Sequence, residues 1–161
     1  MSWSLIARLY EYYQSPEIDV LVNDDTVAVA ELLPYVNFVE TFSYIKKRDE
    51  HWSQEFHLIK KLYKKYDLSI NLTASDRSVI YGLLASKNSI SSIEKNNKKS
   101  WWKKIFLSHF YYFNTDKHIL DNNLQSLDIL NIPRDLSPVS YTHLRAHETL
   151  MNLVCRLLLE K

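Results

Sequence analysis

The stretch DLSINLTASDRSVIYGLLA, residues 67–85, decides the fold, because a strand pattern leads directly into a helix pattern. Apolar side chains alternate with polar ones from Leu68 to Leu72, which is the period of a half-buried strand. Ser75 or Asp76 is then placed as the N-cap of a helix. A strand that feeds a helix in this way is typical of parallel α/β sheets.

The same alternation extends to both sides of this stretch. Short apolar strands are predicted at residues 17–23, 37–42, 88–93 and 110–113. Helices are predicted from apolar spacing at residues 5–13, 27–33, 49–66 and 116–131. Strands that alternate with helices predict an α/β fold, a Rossmann-like parallel sheet with helices on both faces.

Composition excludes several classes of protein. The chain has one glycine, Gly82, so a glycine-rich phosphate loop is excluded. The single cysteine, Cys155, lies in the final stretch, and the absence of cysteine from residues 1–137 excludes a disulfide framework and is typical of a reducing compartment. No apolar run has the length of a membrane span, and the 161 residues are typical of one domain.

The chain begins with a helix pattern that no strand precedes. In a doubly wound sheet of order 3-2-1-4-5, the first strand is the central one. We therefore expect residues 1–137 to form an incomplete domain that lacks its first strand. The strand at residues 18–22 is then expected to lack one neighbour and to expose an aggregation-prone edge.

The final stretch, PVSYTHLRAHETLMNLVCRLLLEK at residues 138–161, is rich in metal-binding residue types, namely His143, His147, Glu148 and Cys155. It also resembles, in frame, the translation of a transposon-based sequencing adapter that one sample index interrupts. That resemblance implies an artefactual segment without a selected function. We therefore predict no metal site there and poor packing, although VCRLLLEK consists largely of good helix formers.

Four stretches carry a resemblance to a known family: SLIARLYEYYQSPEIDVLVND, LLPYVNFVETF, YDLSINLTASDRS and DKHILDNNLQSLDILNIP. In this order and spacing they resemble glycosyltransferase family nine, the lipopolysaccharide heptosyltransferases of Gram-negative bacteria. The resemblance implies a GT-B architecture of two Rossmann-like domains. Residues 1–137 then belong to the N-terminal domain, which holds the lipid A–core acceptor, and the domain for the nucleotide-sugar donor lies beyond them.

The resemblance also implies where the chemistry lies. The family's general base is an aspartate in a Gly-Asp turn after the first strand, and that position falls upstream of Met1. We therefore expect no catalytic residue in this chain, no activity of the chain alone, and no metal or other cofactor. The expected location is the cytoplasm, with peripheral contact at the inner face of the inner membrane.

Thr73, Ser75, Asp76 and Arg77 are the candidate substrate-binding residues, because they lie where a strand feeds a helix. Arg77 is suited to bidentate recognition of an acceptor phosphate or carboxylate. The alternative is a helix cap with an internal Asp76–Arg77 pair.

A basic and aromatic loop, KNNKKSWWKK at residues 95–104, is the second candidate. Lys98, Lys99, Trp101 and Trp102 suit a membrane interface with anionic lipids, or contact with the acceptor. A stand-alone Rossmann-like module that binds a membrane or single-stranded nucleic acid through this loop is the alternative function. Basic and acidic residues balance in residues 1–137, so no nucleic acid is expected. A loop whose tryptophans dock on the sheet is the structural alternative.

Overall fold

A computed structural model of the chain describes residues 3–43, 51–95, 100–134 and 156–160. The helices are α1 (Trp3–Tyr12), α2 (Val27–Ala30), α3 (His51–Leu62), α4 (Asp76–Ala85), α5 (Trp101–Phe106) and α6 (Ile119–Ile129). The strands are β1 (Glu17–Asn23), β2 (Phe38–Phe42), β3 (Tyr66–Asn71), β4 (Ser86–Glu94), β5 (His109–Phe113) and β6 (Arg156–Glu160). A 3-10 turn, Asp24–Thr26, leads into α2.

The strands form one six-stranded sheet in the order β2-β1-β6-β3-β4-β5. β1 pairs with β2 in parallel, and so do β3 with β4 and β4 with β5. β6 is antiparallel to both of its neighbours, β1 and β3, so β1 to β5 all point the same way. The predicted α/β class with a mostly parallel sheet is confirmed.

Helices cover both faces of this sheet. On one face, buried residues of α1 and α6 such as Leu9 and Leu127 join Ile18, Val20 and Ile70 of the strands in one cluster. On the other face, α3 and α4 pack on the sheet through a second cluster. Its members are Leu21, Phe42, Leu58, Leu62, Tyr66, Tyr81 and Ala85. Both faces of the central strands are therefore buried, as in other sheets built from strand–helix–strand units.

The centre of the sheet differs from the prediction. β1 was expected to lack a neighbour, and residues 138–161 were expected to pack poorly, yet β6 lies between β1 and β3. Leu159 is opposite Ile18 on one side and Leu68 on the other, and it is buried. The expectation that β1 lacks a neighbour is therefore wrong, and the expectation of poor packing is wrong for residues 156–160. These residues also form a strand, although their residue types favour a helix.

The reason lies in the backbone of the two flanking strands. Their facing N–H and C=O groups need hydrogen-bond partners, and an apolar segment without proline provides them whatever its direction. Within the described ranges, no parallel strand lies between β1 and β3. The same ranges contain no helix with the length and apolar character needed to cross a bilayer.

Candidate functional site

The candidate substrate-binding residues lie at one edge of the sheet. β1 to β5 run in the same direction, so their carboxyl ends share that edge, where open α/β sheets bind ligands. The loop at residues 72–75 follows β3 and leads into α4, whose first turn carries Asp76 and Arg77. The segment that contains α5 follows β4 at the same edge, so the structure brings the two predicted sites close together.

The loop after β3 is held in place by Asn71, the last residue of that strand. The Nδ2 of Asn71 donates to the carbonyl of Thr73 at 2.8 Å and to the Oγ of Ser91 at 2.9 Å. The Oγ1 of Thr73 donates to the Oδ1 of Asn71 at 3.1 Å. Asn71 is buried, so these bonds satisfy a polar side chain in the interior and fix the course of the loop.

Ser75 is the N-cap of α4. Its Oγ accepts a hydrogen bond from the backbone N–H of Ser78 at 3.3 Å, and it donates to the Oγ of Ser78 at 2.7 Å. The capping alternative is thus confirmed for Ser75. The side chain is exposed, so the cap lies at the surface of the sheet edge.

Asp76 pairs with Lys103, a lysine of the basic loop that was not among the predicted site residues. The Nζ of Lys103 lies 2.7 Å from the Oδ1 of Asp76 and donates to the carbonyl of Ala74 at 2.5 Å. Lys103 is only 1% exposed, whereas the Asp76 side chain is 65% exposed. The Asp76–Arg77 pair of the capping alternative is not formed, because Asp76 pairs with Lys103 and Arg77 pairs with Glu55. The contact of Lys103 holds α5 against the candidate site.

Arg77 is engaged by residues from three elements. Its guanidinium lies over the ring of Phe42, with 4.0 Å between the guanidinium carbon and the ring centroid, and it forms an ion pair with Glu55 of α3. The Nε of Arg77 donates to the hydroxyl of Tyr81 at 3.3 Å, and that hydroxyl donates to Glu55. A ligand anion that binds the guanidinium of Arg77 has to compete with the carboxylate of Glu55, which is already paired with it.

The two tryptophans of the basic loop have different environments. Trp102 packs against Val79, Ile93 and Leu107. For this residue the alternative of a loop whose tryptophans dock on the sheet is confirmed. Trp101 is 65% exposed, and Ile105 and Phe106 of the same helix are exposed to a similar extent. We call Trp101, Ile105 and Phe106 the α5 surface. Lys98 and Lys99 lie outside the described residues.

A groove of about 700 Å³ opens at the carboxyl ends of β4 and β5. Its lining combines two aromatic side chains, two amides and charged residues of both signs. The lining residues are Glu94, Lys95, Tyr112, Phe113, Asn114, Thr115, Asp116, Lys117 and Gln125. Except for Lys95, which opens the basic loop, none of them was a candidate from the sequence, because they come from two strand ends, the approach to α6 and α6 itself.

A polar cluster at the opposite edge of the sheet was also missed. The hydroxyl of Tyr66 donates to the Oδ2 of Asp19 at 2.7 Å, and the Nζ of Lys65 lies 3.1 Å from the same oxygen. Burial, followed by the hydrogen bond to Asp19, raises the pKa of Tyr66 above its ordinary value. These contacts connect β1 to the start of β3 across β6, so we assign them a structural role.

The described residues offer no cluster of metal ligands. In the part of the chain that the structure describes, no three His, Cys, Asp or Glu side chains cluster closely enough to hold a metal ion. His143, His147, Glu148 and Cys155 lie outside that part. His118, which the sequence places at the start of the last predicted helix, caps α6, and its Nδ1 accepts from the N–H of Leu120 at 3.3 Å.

Comparison with known proteins gives one informative similarity. The chain is 32% identical over 105 residues to lipopolysaccharide heptosyltransferase 3 of Escherichia coli. The aligned part covers 63% of this chain and 31% of that protein, so the chain spans about a third of its relative's length. No protein-family model and no solved structure matches the sequence. The similarity supports a heptosyltransferase-like relationship for this α/β domain.

Proposed function

We propose that this chain is the acceptor-side part of a bacterial glycosyltransferase that transfers heptose or a related sugar to the lipopolysaccharide inner core. The observation that carries the proposal is the similarity to a heptosyltransferase over 105 residues. The relative's aligned part is only 31% of its length, so the GT-B architecture and a separate donor domain are part of the proposal. Residues 1–137 are the incomplete domain, and residues 138–161 are adapter-derived.

The proposal gives the site at the sheet edge the role of acceptor recognition. Thr73, Ser75 and Asp76 line the approach, and Arg77 supplies a rigid fork for a phosphate or carboxylate of the inner core. Glu55 holds that fork in position until a ligand anion replaces it. Deprotonation of the acceptor hydroxyl is assigned to an aspartate outside this chain, so the chain alone binds acceptor without transferring sugar.

The α5 surface suits contact with the membrane that carries a lipid-linked acceptor. Indole, phenyl and aliphatic side chains are exposed there, and the basic residues Lys98, Lys99 and Lys104 are close in sequence. The buried contact between Lys103 and the loop before α4 connects this surface to the acceptor site. We therefore propose peripheral binding at the cytoplasmic face, with α5 toward the lipid.

A binding experiment tests the acceptor role. Deacylated, phosphorylated inner-core oligosaccharide is titrated into the full chain by isothermal calorimetry, and into the variants Arg77→Gln and Arg8→Gln. Arg8 is a matched control, because it also pairs with a glutamate but lies on α1. We expect Arg77→Gln to weaken binding by about tenfold or more, the loss of one charge-assisted contact, and Arg8→Gln to leave it unchanged.

Absence of oligosaccharide binding by the folded wild-type chain would remove the acceptor role. Binding of a single-stranded oligonucleotide that is lost on Trp101→Ala would instead favour the stand-alone module. For the membrane role, co-sedimentation with phosphatidylglycerol vesicles is expected to fall on Trp101→Ala and not on Leu32→Ala. Leu32 is a suitable control because it is 75% exposed and lies far from α5 in sequence.

A further inference from the structure

We propose that the space between β1 and β3 is a strand-binding site, which β6 occupies and from which an added extended apolar peptide displaces it. This inference concerns the sheet alone and stands whether or not the glycosyltransferase proposal holds. The ligand class is an extended peptide strand supplied in trans, a form of recognition in which main-chain hydrogen bonds provide the affinity.

The backbone pairing shows what the site offers. β6 pairs with β1 over residues 17–21 and with β3 over residues 68–71, and it is the element that joins β2-β1 to β3-β4-β5. In the described residues, β1 and β3 have no direct ladder with each other. Removal of β6 therefore leaves two facing rows of backbone N–H and C=O groups that need partners.

The side chains around the site define the sequence that fits. β1 is buried at all five residues from Ile18 to Val22, and β3 is buried from Leu68 to Asn71. Helices cover both faces of these strands, so a strand between them is also covered on both faces. Leu159, which is 4% exposed, shows this on one face. The site thus favours a segment that is apolar on both faces and lacks proline.

β6 does not use the full length of the site. It has five residues, whereas β1 has seven, and the register leaves Val22 and Asn23 of β1 without a partner in β6. β6 pairs antiparallel to both of its neighbours, so the site accepts a strand that runs opposite to β1 and β3. A peptide longer than five residues can extend the ladder on β1 to Val22 and Asn23.

β6 has one advantage, its covalent connection. A tethered segment competes at an effective concentration of about millimolar order, so an added peptide binds weakly while β6 is intact. A charge at Leu159 should weaken β6, because that side chain is buried between Ile18 and Leu68. Leu159→Asp should therefore open the site, whereas Leu32→Asp, at an exposed position, should not.

The test uses the full chain and a fluorescein-labelled peptide with the sequence of residues 153–161, with serine in place of Cys155. Fluorescence anisotropy measures its affinity for wild-type chain, Leu159→Asp and Leu32→Asp. We expect Leu159→Asp to bind the peptide at least tenfold more tightly than the other two. A peptide with lysine at each leucine position should not bind. Hydrogen exchange should show that the bound peptide protects amides of β1 and β3.

Two results would overturn the proposal. One is a folded Leu159→Asp chain that does not bind the peptide, or that binds the lysine peptide equally well. The other applies if Leu159→Asp is unfolded by circular dichroism. In that case the peptide must restore the far-ultraviolet spectrum, and failure to restore it at saturating concentration refutes the site.

Discussion

The ion pair between Lys103 and Asp76 leads to an asymmetric prediction for stability. Lys103 is a buried cation with two partners, the Asp76 carboxylate at 2.7 Å and the Ala74 carbonyl at 2.5 Å. Asp76→Asn leaves the charge buried without its counterion. Lys103→Met removes the charge and keeps most of the side-chain volume, and the exposed Asp76 carboxylate stays solvated. We therefore expect the aspartate change to be the more destabilising one.

The structure sets the size of the effect. Loss of the partner of a fully buried ion costs about 3–5 kcal/mol, but Asp76 is 65% exposed, so water screens part of the charge. We expect about 1–2 kcal/mol for Asp76→Asn and about 1 kcal/mol or less for Lys103→Met. In the Lys103→Met background, Asp76→Asn should cost only about 0.5 kcal/mol, the interaction of the carboxylate with the first turn of α4.

Urea unfolding of the two single variants and the double variant, followed by circular dichroism, gives these three free energies as a double-mutant cycle. A coupling free energy near zero would show that the pair does not stabilise the fold. A Lys103→Met variant that is less stable than Asp76→Asn by more than about 1 kcal/mol would refute the reasoning about the buried charge.

Two further changes in stability follow from the packing of the helices and strands. Gly82→Ala should stabilise the chain by about 0.5–1 kcal/mol in urea unfolding, because alanine favours a helix more than glycine does. The added Cβ would lie 3.4 Å from the Oγ of Ser69, an ordinary contact distance. Destabilisation would show that the Cβ does not fit there. Burial raises the pKa values of Tyr66 and Tyr111, and the hydrogen bond to Asp19 adds to it for Tyr66. The contribution of these two tyrosines to the free energy of unfolding should therefore be fully present below pH 10. Above pH 10 it should decrease by at most about 1.4 kcal/mol per pH unit for each tyrosine. Tyr66→Phe should reduce that slope in urea unfolding at pH 9 to 11, and Tyr63→Phe, at an exposed position, should not. Equal slopes in all three chains would contradict the pKa assignment.

Local sequence patterns were sufficient to predict most strands of the sheet. The strand predicted at residues 17–23 is β1 with the same bounds, and the strand predicted at 37–42 is β2 one residue shorter. The helix predicted at 49–66 ends earlier, at Leu62, because the chain turns at Tyr63 and Lys64 before it enters β3. Alternation and apolar spacing act within a few residues, so they identify elements better than their ends.

The remaining features depend on contacts between distant parts of the chain. α5 has only six residues, and nothing local shows that Trp102 is packed while Trp101 is exposed. The burial of Lys103 depends on Ala74 and Asp76, which lie in another loop. β6 forms a strand because two strands present unpaired backbone to it, which outweighs the helix propensity of its residues.

In the candidate site, too, local contacts could be predicted from the sequence and distant contacts could not. The cap at Ser75 follows from the sequence, since capping involves residues three apart. The partners of Arg77 do not, because Phe42 and Glu55 come from β2 and α3. The sequence thus indicates which residues lie at the sheet edge, and the tertiary contacts decide which of them are already engaged.

The uninterrupted sequence of the source gene is the most direct test of the central claim, that this chain is the acceptor-side part of a glycosyltransferase. We expect an apolar strand that ends in a Gly-Asp turn a few residues upstream of Met1 and that takes the place of β6 in the sheet. It also predicts that the reading frame continues past residue 137 into a second α/β domain instead of residues 138–161. A translation start at Met1 together with a stop codon near residue 137 would contradict it.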